Sequence, residues 1–515
     1  MSENLVEMLD GIAERYPQRT ALIYGARKMT YSVLSANTKR FAQAMHHLGV
    51  IKHDKVALWL SNCPEFVYAY FGILRLRATV VTVNTMFKRE EACFVIEDSQ
   101  AKIVICSVDK VEECENILSR ISSLLHVISL SPPSTRSKVL SFHGLIRNHE
   151  EFAKETAYNQ EDTAEILYTS GTTGKPKGAC LSHANVLSNV YDCAHIIRVT
   201  KRDCFICILP LFHSFALTVC LLLPLSQGAR IVLMRSVRPF KRVIRAIFKQ
   251  RVSVFCAVPS LFNILAEAKF GRFALLANIF INPVRVCISG AAALPFTVWR
   301  KFDKKYKRLL LQGYGLTEAS PVVSLNPLNG KRKPESIGLP IPSVKVRVVY
   351  SDSRDVYPGE VGELLVKGPN VMKGYYNLER ETADAVKDDW LYTGDLARID
   401  SDGYIYIMGR LKEMINVRGL NVYPREIEDV LYKHPDIKEA AAVGVKHRHR
   451  GEVPVVFVVT SNKKLTQRLI IDYLRANLAS YKVPLRVFFK DALVKNPTGK
   501  ILKRELQEEV QNIFG

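Results

Sequence analysis

A chain of 515 residues is longer than one hydrophobic core supports, because cores stop growing at roughly 250–300 residues, so two or three structural units are expected. Hydrophobic residues at 48% and charged residues at 24% exclude a disordered or membrane-embedded chain and leave a globular one. Lys and Arg outnumber Asp and Glu by 72 to 50, and the net charge of +22 favours anionic partners: nucleotides, acidic proteins, lipid headgroups or nucleic acid. With neither a C2H2 spacing nor an RNP-like aromatic run in the chain, no nucleic acid is expected among them.

The N-terminal stretch MSENLVEMLDGIAERYPQ is acidic where a secretory leader needs a basic end and an apolar run, and the eleven cysteines are scattered. Both point to the reducing cytoplasm. Helical patterns then alternate with short β-branched runs: VALWL at 56–60, ATVVTV at 78–83, KIVIC at 102–106, RIVLM at 230–234, VSVFCAV at 252–258 and RVCISG at 285–290. Such alternation predicts α/β layering with largely parallel sheets, since helical crossovers join parallel neighbours. Cys204 and Cys207 fall in CFICILPLF, read as a buried strand; their offset puts them on opposite faces, so neither a metal nor a redox pair is expected. The run FALTVCLLLPL at 215–225 is shorter than the ~20 residues of a membrane span and reads as a buried helix.

Beyond residue 340, KVRVVY, GELLVKG and YIYIMGR predict a smaller β-rich section that closes the large unit. From residue 411 a small α+β module follows, with EIEDVLYKH and LIIDYLRANLASY as helices and EAAAVGV and VPVVFVVT as strands. The expected division is therefore 1–410 and 411–515. Between the two, GRLKEMINVRGLNVYP at 409–424 reads equally as a hinge or as a fixed loop.

The stretch with the clearest chemistry is YTSGTTGKPKGACLSH at 168–183, where hydroxyls, glycines and lysines follow the strand-like AEILYT. A P-loop needs four residues between its glycines and a Ser or Thr after its lysine; here the spacer is Thr172–Thr173 and Pro176 follows Lys175, which disfavours a P-loop ATPase or kinase. What remains is a loop whose amides, hydroxyls and Lys175 suit a triphosphate tail, or a polar surface turn.

Together with QGYGLTEAS at 312–320, WLYTGDLA at 390–397, GRLKEMINVRGLNVYPREIE at 409–428 and NPTGK at 496–500, this stretch resembles, in order and spacing, the adenylate-forming superfamily of acyl-CoA synthetases, luciferases and peptide-synthetase adenylation domains. The resemblance implies a large N-terminal ATP- and acyl-binding domain and a small mobile C-terminal one. It also implies a two-step reaction, in which a carboxylate attacks the α-phosphate of ATP and a thiol then displaces AMP. On that resemblance Thr169, Ser170, Gly171, Thr172, Thr173, Gly174 and Lys175 form the pyrophosphate-side loop. In the segment Gly313–Tyr314–Gly315, Tyr314 lies on adenine, while Thr317 bonds phosphate and Glu318 holds Mg2+. Gly290, Ala291 and Ala292 leave room between adenine and the acyl group, Asp395 accepts the ribose hydroxyls, and Arg410 reaches ribose and phosphate. Lys500 is the adenylation lysine, Lys412 the hinge, Gly419 a passage for the pantetheine arm of CoA, and His213 a group beside the acyl carbonyl.

Within the superfamily, LPLFHSFALTVCLLLPL, KGPNVMKGYYN and RGLNVYPREIEDVLY look most like bacterial long- and medium-chain fatty acid CoA ligases, which implies an alkyl tunnel near 211–223. Two departures stand out. Where relatives begin a loop with Pro-Asp, this chain has Lys446, His447, Arg448, His449 and Arg450, a basic run suited to CoA phosphates, an acyl carrier protein, anionic lipid or plain solvent. Leu217 stands near the position of an aromatic gate. Loading of an acyl carrier protein and a non-catalytic acyl- or nucleotide-binding role remain open as alternatives, as does peripheral contact with a membrane; the oligomeric state is not legible.

Overall fold

The computed structural model describes residues 3–130, 139–153, 158–169, 176–268, 282–418, 420–447, 451–495 and 500–514. Among them, two large sheets carry the first part of the chain. One has eight strands, and six of these, from Thr163–Thr169 through Thr79–Thr82, Lys55–Trp59, Ile103–Cys106 and His126–Ser129 to Leu140–Ser141, run parallel. The hairpin partner Lys177–Ser182 and then Gly374–Tyr375 extend it antiparallel at one edge. The other has nine strands, with a parallel centre formed by Leu309–Gly315, Val286–Ser289, Val254–Ala257, Cys204–Cys207, Arg230–Leu233 and Thr20–Tyr24. The β-branched runs named above all become strands, because continuous apolar runs suit strands covered on both faces.

Alternation within the strands assigns them to two cores. Leu58, Val80 and Ile105 share a core with Ile231, Val254 and Val286 of the other sheet, whereas Ala57, Trp59, Val81 and Val104 pack beneath the helices Arg89–Asp98 and Val111–Leu118. Between the sheets lies the helix Pro64–Arg75, every residue of which is buried, as expected of a helix apolar all round. Its Gly72 admits the neighbouring helix Tyr31–His47 closely: a Cβ there would come within 2.8 Å of Phe41 Cδ1 and 3.0 Å of the Thr38 carbonyl.

A five-stranded antiparallel sheet follows, built on Lys345–Val349, Gly362–Lys367, Trp390–Ile399, Val386–Lys387 and Ile405–Arg410. Beyond it, the strands Ile437–His447, Gly451–Thr460 and Arg486–Phe489 are flanked by the helices Pro424–Lys433, Gln467–Asn477 and Lys503–Phe514. These residues enclose their own apolar clusters, around Ile427, Val456 and Ile470 on one face and Val455, Phe457 and Leu506 on the other. The fold is thus α/β, layered, with a smaller α+β section at the C-terminal end.

Two local expectations are refined. The apolar run near 215–225 is helical and buried, but Ala216–Leu222 is wound as a wide π-helix that tightens to α only over Leu223–Ser226. CFICILPLF is a strand only over Cys204–Cys207; its second half turns away toward the cavity described below. Cys204 and Cys207 are free buried thiols, and among the described residues no cluster of His, Cys, Asp or Glu is arranged to hold a metal. Nor is any described helix long and apolar enough to cross a membrane.

One polar group is stranded in the first core. Glu165 is 1% exposed and accepts the Tyr70 hydroxyl at 2.7 Å through Oε2, while Oε1 has no partner. Burial pushes its carboxyl up to about 7, against the pull of the Tyr70 hydrogen bond. Because that value lies above the roughly 4.3 of an unfolded glutamate, the fold prefers the protonated form and loses stability as pH rises between the two values. Glu165→Gln should therefore gain in melting temperature over the parent as pH is raised from about 5 to about 8; scanning calorimetry showing a pH-independent difference would contradict this linkage.

Candidate active site

A cavity of about 980 Å3 opens where the carboxyl ends of parallel strands from both sheets converge, the usual position for a ligand in α/β layers. Its floor comes from Leu167–Thr169 of one sheet and from Ile288–Gly290 and Gly313–Gly315 of the other. Thr393, Gly394 and Arg410 of the five-stranded sheet close one side, and Lys412, Glu413, Lys500 and Leu502 cover it from the C-terminal section.

One corner is ionic. Asp395 and Arg410 face one another across paired antiparallel strands, and Arg410 Nε lies 2.8 Å from Asp395 Oδ1. The Tyr314 hydroxyl, arriving from the other sheet, donates to Asp395 Oδ2. The turn is fixed from behind: Thr393 Oγ1 accepts the Asp395 amide at 3.0 Å, and the Glu363 carboxylate accepts the Gly394 amide at 2.9 Å. Asp395 is 4% exposed; burial pushes its carboxyl up, opposed by Arg410, the Tyr314 hydroxyl and Lys500. Tyr314 is held well above the usual phenol value by burial and by Asp395, so it remains a donor. Both Asp395 oxygens are engaged, yet a carboxylate offers about four acceptor sites and keeps capacity for further hydroxyls. The Lys500 amine is pushed down by burial and by Arg410, with Glu413 and Asp395 pulling the other way.

A second corner is built on the turn Thr317–Ala319. Glu318 Oε1 accepts the Tyr375 hydroxyl at 2.9 Å, its carbonyl accepts the Met372 amide at 2.9 Å, and Thr317 Oγ1 lies 3.3 Å from Ser214 Oγ. The Lys177 amine sits 5.2 Å from the centre of the Tyr375 ring. The loop Ser170, Gly171, Thr172, Thr173, Gly174 and Lys175 lies outside the described residues, as do Gly419 and Arg448–His449–Arg450. Its flanks are described: Thr169 pairs with Lys177 in an antiparallel ladder, and both line the cavity.

The third part is apolar. Cys193, Ile197, Val219, Ile288, Val322 and Leu325 form an apolar recess in the same cavity that His213 and Phe215 line. The Phe215 amide donates to His213 Nδ1 at 3.3 Å, which leaves the neutral ring's proton on Nε2. Burial pushes His213 down to about 4, so it is uncharged near neutral pH. At Gly290 a Cβ would come within 3.0 Å of the Phe215 ring. Ala291 lines the cavity at φ +66°, whereas Ala292 lies outside the lining, and Leu217 is buried behind it.

The fold therefore brings Thr169, His213, Gly290, Ala291, Gly313, Tyr314, Gly315, Thr317, Glu318, Arg410, Lys412 and Lys500 around one space, with Asp395 bonded immediately behind Tyr314 and Arg410. Sequence reading missed Ser214, Tyr375, Glu363 and Lys177. Ser214 neighbours His213 and Lys177 lies two positions past Lys175; for Tyr375 and Glu363 only the fold supplies the link, since their partners are far along the chain.

The pattern of the AMP-binding enzyme family matches residues 9–376, and that of the AMP-binding enzyme C-terminal domain matches residues 426–500. The chain belongs to the AMP-binding enzyme family. It is 35% identical to a long-chain-fatty-acid–CoA ligase of Escherichia coli O6:H1, over 99% of this chain and 95% of that one. The crystal structure of ATP-bound MatB from Rhodopseudomonas palustris superposes with a TM-score of 0.93 at 29% identity, covering 100% of both chains. The apo structure of the same MatB covers both chains as fully but reaches 0.81. Within the family the chain stands among the AMP-forming acid–thiol ligases.

The strand Leu309–Gly315 tolerates side chains unequally along the cavity. At Gly315 a Cβ would overlap the Pro321 carbonyl oxygen at 2.0 Å, a backbone clash, whereas at Gly313 the nearest atom is the Leu325 methyl at 3.0 Å. Gly315→Ala should abolish AMP binding in calorimetric titration, and Gly313→Ala should keep it within about tenfold, or roughly 1.4 kcal/mol.

Proposed function

We propose that the protein is an ATP-dependent fatty acid–CoA ligase. The observation that carries this reading is that one cavity is lined by the Tyr314 and Arg410 partners of Asp395, by Lys500, by the neutral His213 and by an apolar recess. The fatty carboxylate attacks the α-phosphorus of ATP; the new P–O bond forms as the bond to the β-phosphate oxygen breaks, and pyrophosphate leaves. A CoA thiolate then attacks the acyl carbonyl, the C–S bond forms, and the acyl C–O bond breaks to release AMP.

Asp395 orients the ribose, and Tyr314 and Arg410 hold Asp395 in place. We assign pyrophosphate binding, with the charge of Lys175, to the loop whose flanks Thr169 and Lys177 line the cavity. Lys500 and Arg410 are cations facing the charge that develops on the transferring phosphate, and His213 Nε2 is free to donate to the acyl oxygen. Glu318 and the Thr317 hydroxyl are oxygen donors, and a single carboxylate supplemented by substrate phosphates is how Mg2+ is commonly held. Once bound, that ion would neutralise phosphate charge.

Chain-length preference follows from the recess, since each buried methylene contributes about 0.8 kcal/mol, which favours long acids strongly and separates neighbours weakly. Lys500 occupies the space above the nucleotide corner, so the second half-reaction needs it withdrawn, and we assign the pivot to Lys412. The better agreement with the ATP-bound than with the apo form of one relative supports a 411–515 unit that moves relative to 1–410.

Two measurements test this reading. Pyrophosphate release should be assayed across acids from acetate to oleate, without acceptor, with CoA and with acyl carrier protein. Sustained turnover should peak on a fatty acid with CoA; turnover with carrier protein alone would replace the acceptor, and silence throughout would discard the ligase reading. Lys500→Ala should slow acyl-adenylate formation by about a hundred- to a thousandfold while leaving thioester formation from supplied acyl-adenylate nearly intact. If both halves fall together in a folded variant, the two-position account of Lys500 fails.

A further inference from the structure

Between Asp203 and Glu267 the chain contains no Asp or Glu, yet it contains Arg235, Arg238, Lys241, Arg242, Arg245 and Lys249. In the fold these residues are exposed. The last four lie on the helix Phe240–Gln250, which buries only Val243 and Ile247 and rests Phe240, Ile244 and Ala246 against the core. At 100° per residue, Lys241, Arg242, Arg245 and Lys249 fall on one outward stripe. Phe248 flanks that stripe and is 39% exposed, an aromatic ring turned to solvent beside four cations. The helix cations have no carboxylate partner among the described residues, and Arg235 has only a loose exposed contact with Asp109 at 3.8 Å.

Self-repulsion along a helix face is tolerated when solvent screens it, and it is relieved when an anionic surface covers it. The core takes up the apolar face of this helix, so what it offers a bilayer is the cationic stripe with the Phe248 ring at its flank, a match for anionic lipid headgroups. The position also connects to the site. The Asn62 amide donates to the carbonyls of Leu209 at 2.8 Å and Met234 at 3.2 Å, and its oxygen accepts the Leu211 amide at 2.9 Å. This one side chain therefore ties the turn that leads into the basic helix to the turn that carries Phe212 and His213 into the cavity wall.

We propose that the helix Phe240–Gln250, with Arg235 and Arg238 before it, is a docking surface for an anionic lipid bilayer. It holds the cavity close to a membrane into which its substrate partitions. The substrate link rests on the fatty acid reading given above; the docking itself does not.

The test is flotation of the full chain with vesicles of phosphatidylcholine alone and of phosphatidylcholine mixed with phosphatidylglycerol, at low and high salt. The parent should bind the anionic vesicles, release in high salt and ignore the neutral ones. Each basic residue near an anionic surface changes partitioning by about fivefold, so the double reversal Arg242→Glu/Arg245→Glu should lower it by at least about twenty-five-fold. Phe248→Ala should lower it several-fold. A reversal of equal net charge at the exposed pair Lys463→Glu/Lys464→Glu should leave it within about twofold. Ligase turnover on a water-soluble short-chain acid, assayed without vesicles, should be unchanged in every variant and certifies their folding. Equal loss in both reversals would overturn the assignment, as would binding to neutral vesicles alone. Absent vesicle binding, with saturable capture of an acidic acyl carrier protein that Arg242→Glu/Arg245→Glu abolishes, would assign the surface to a protein instead. Vesicle binding by a chain that activates no fatty acid would leave the docking surface standing and remove the fatty acid reading.

Discussion

The buried contact of Asp395 with Arg410 and Tyr314 is the interaction on which the site depends. A carboxylate taken out of water loses several kcal/mol of hydration and persists only where geometry and further hydrogen bonds compensate; the Arg410 side chain keeps about 34% exposure and loses less. Here the compensation is structural. Cross-strand pairing sets Asp395 opposite Arg410, and the nine-stranded sheet delivers Tyr314 to the remaining oxygen. Thr393 and Glu363 hold the turn from beneath. The contact thus joins two sheets at the edge of the cavity, and Lys500 of the C-terminal section feels its charge.

Everything else in the cavity is arranged around that corner by strand direction. Parallel strands place their carboxyl ends on one edge, so residues as far apart as Thr169, Gly290 and Tyr314 meet without any local rule bringing them together. Glycine acts at the two places where backbone or ring must come close. Gly290 lies close to the Phe215 ring and Gly315 close to the Pro321 carbonyl, and both glycines line the cavity. The neutral His213 lines the same cavity, uncharged because burial outweighs any benefit of protonation.

Much of the site was legible because its chemistry is carried by short runs. Gly313–Tyr314–Gly315, Thr317, Glu318 and Asp395 were named from their motifs, and each lies at the cavity or against it. The strands were legible because continuous β-branched runs have few alternatives, whereas the π-helix Ala216–Leu222 reads like any apolar helix: its extra residue per turn leaves no mark in an all-apolar run. Tyr375 and Glu363 were missed for a different reason. Each acts only through a partner that the sheets bring alongside, Glu318 for the one and the Gly394 amide for the other. Ala292 was named with its neighbours but falls outside the cavity, because the backbone reverses at Ala291 with φ +66°.

By itself, the sequence determined the α/β class, the absence of a P-loop, the family and the residue types available for phosphate, ribose and magnesium chemistry. These are properties of local pattern and spacing, and local pattern is what a chain states directly. Only the tertiary structure decided that Asp395 is bonded on both oxygens, that His213 is neutral, and that Lys500 enters the same space as Tyr314. It also decided that the acid-free segment becomes one exposed cationic helix tied to the cavity wall through Asn62. Burial, electrostatic neighbourhood and face are set by contacts between distant segments, and these exist only once the sheets have stacked.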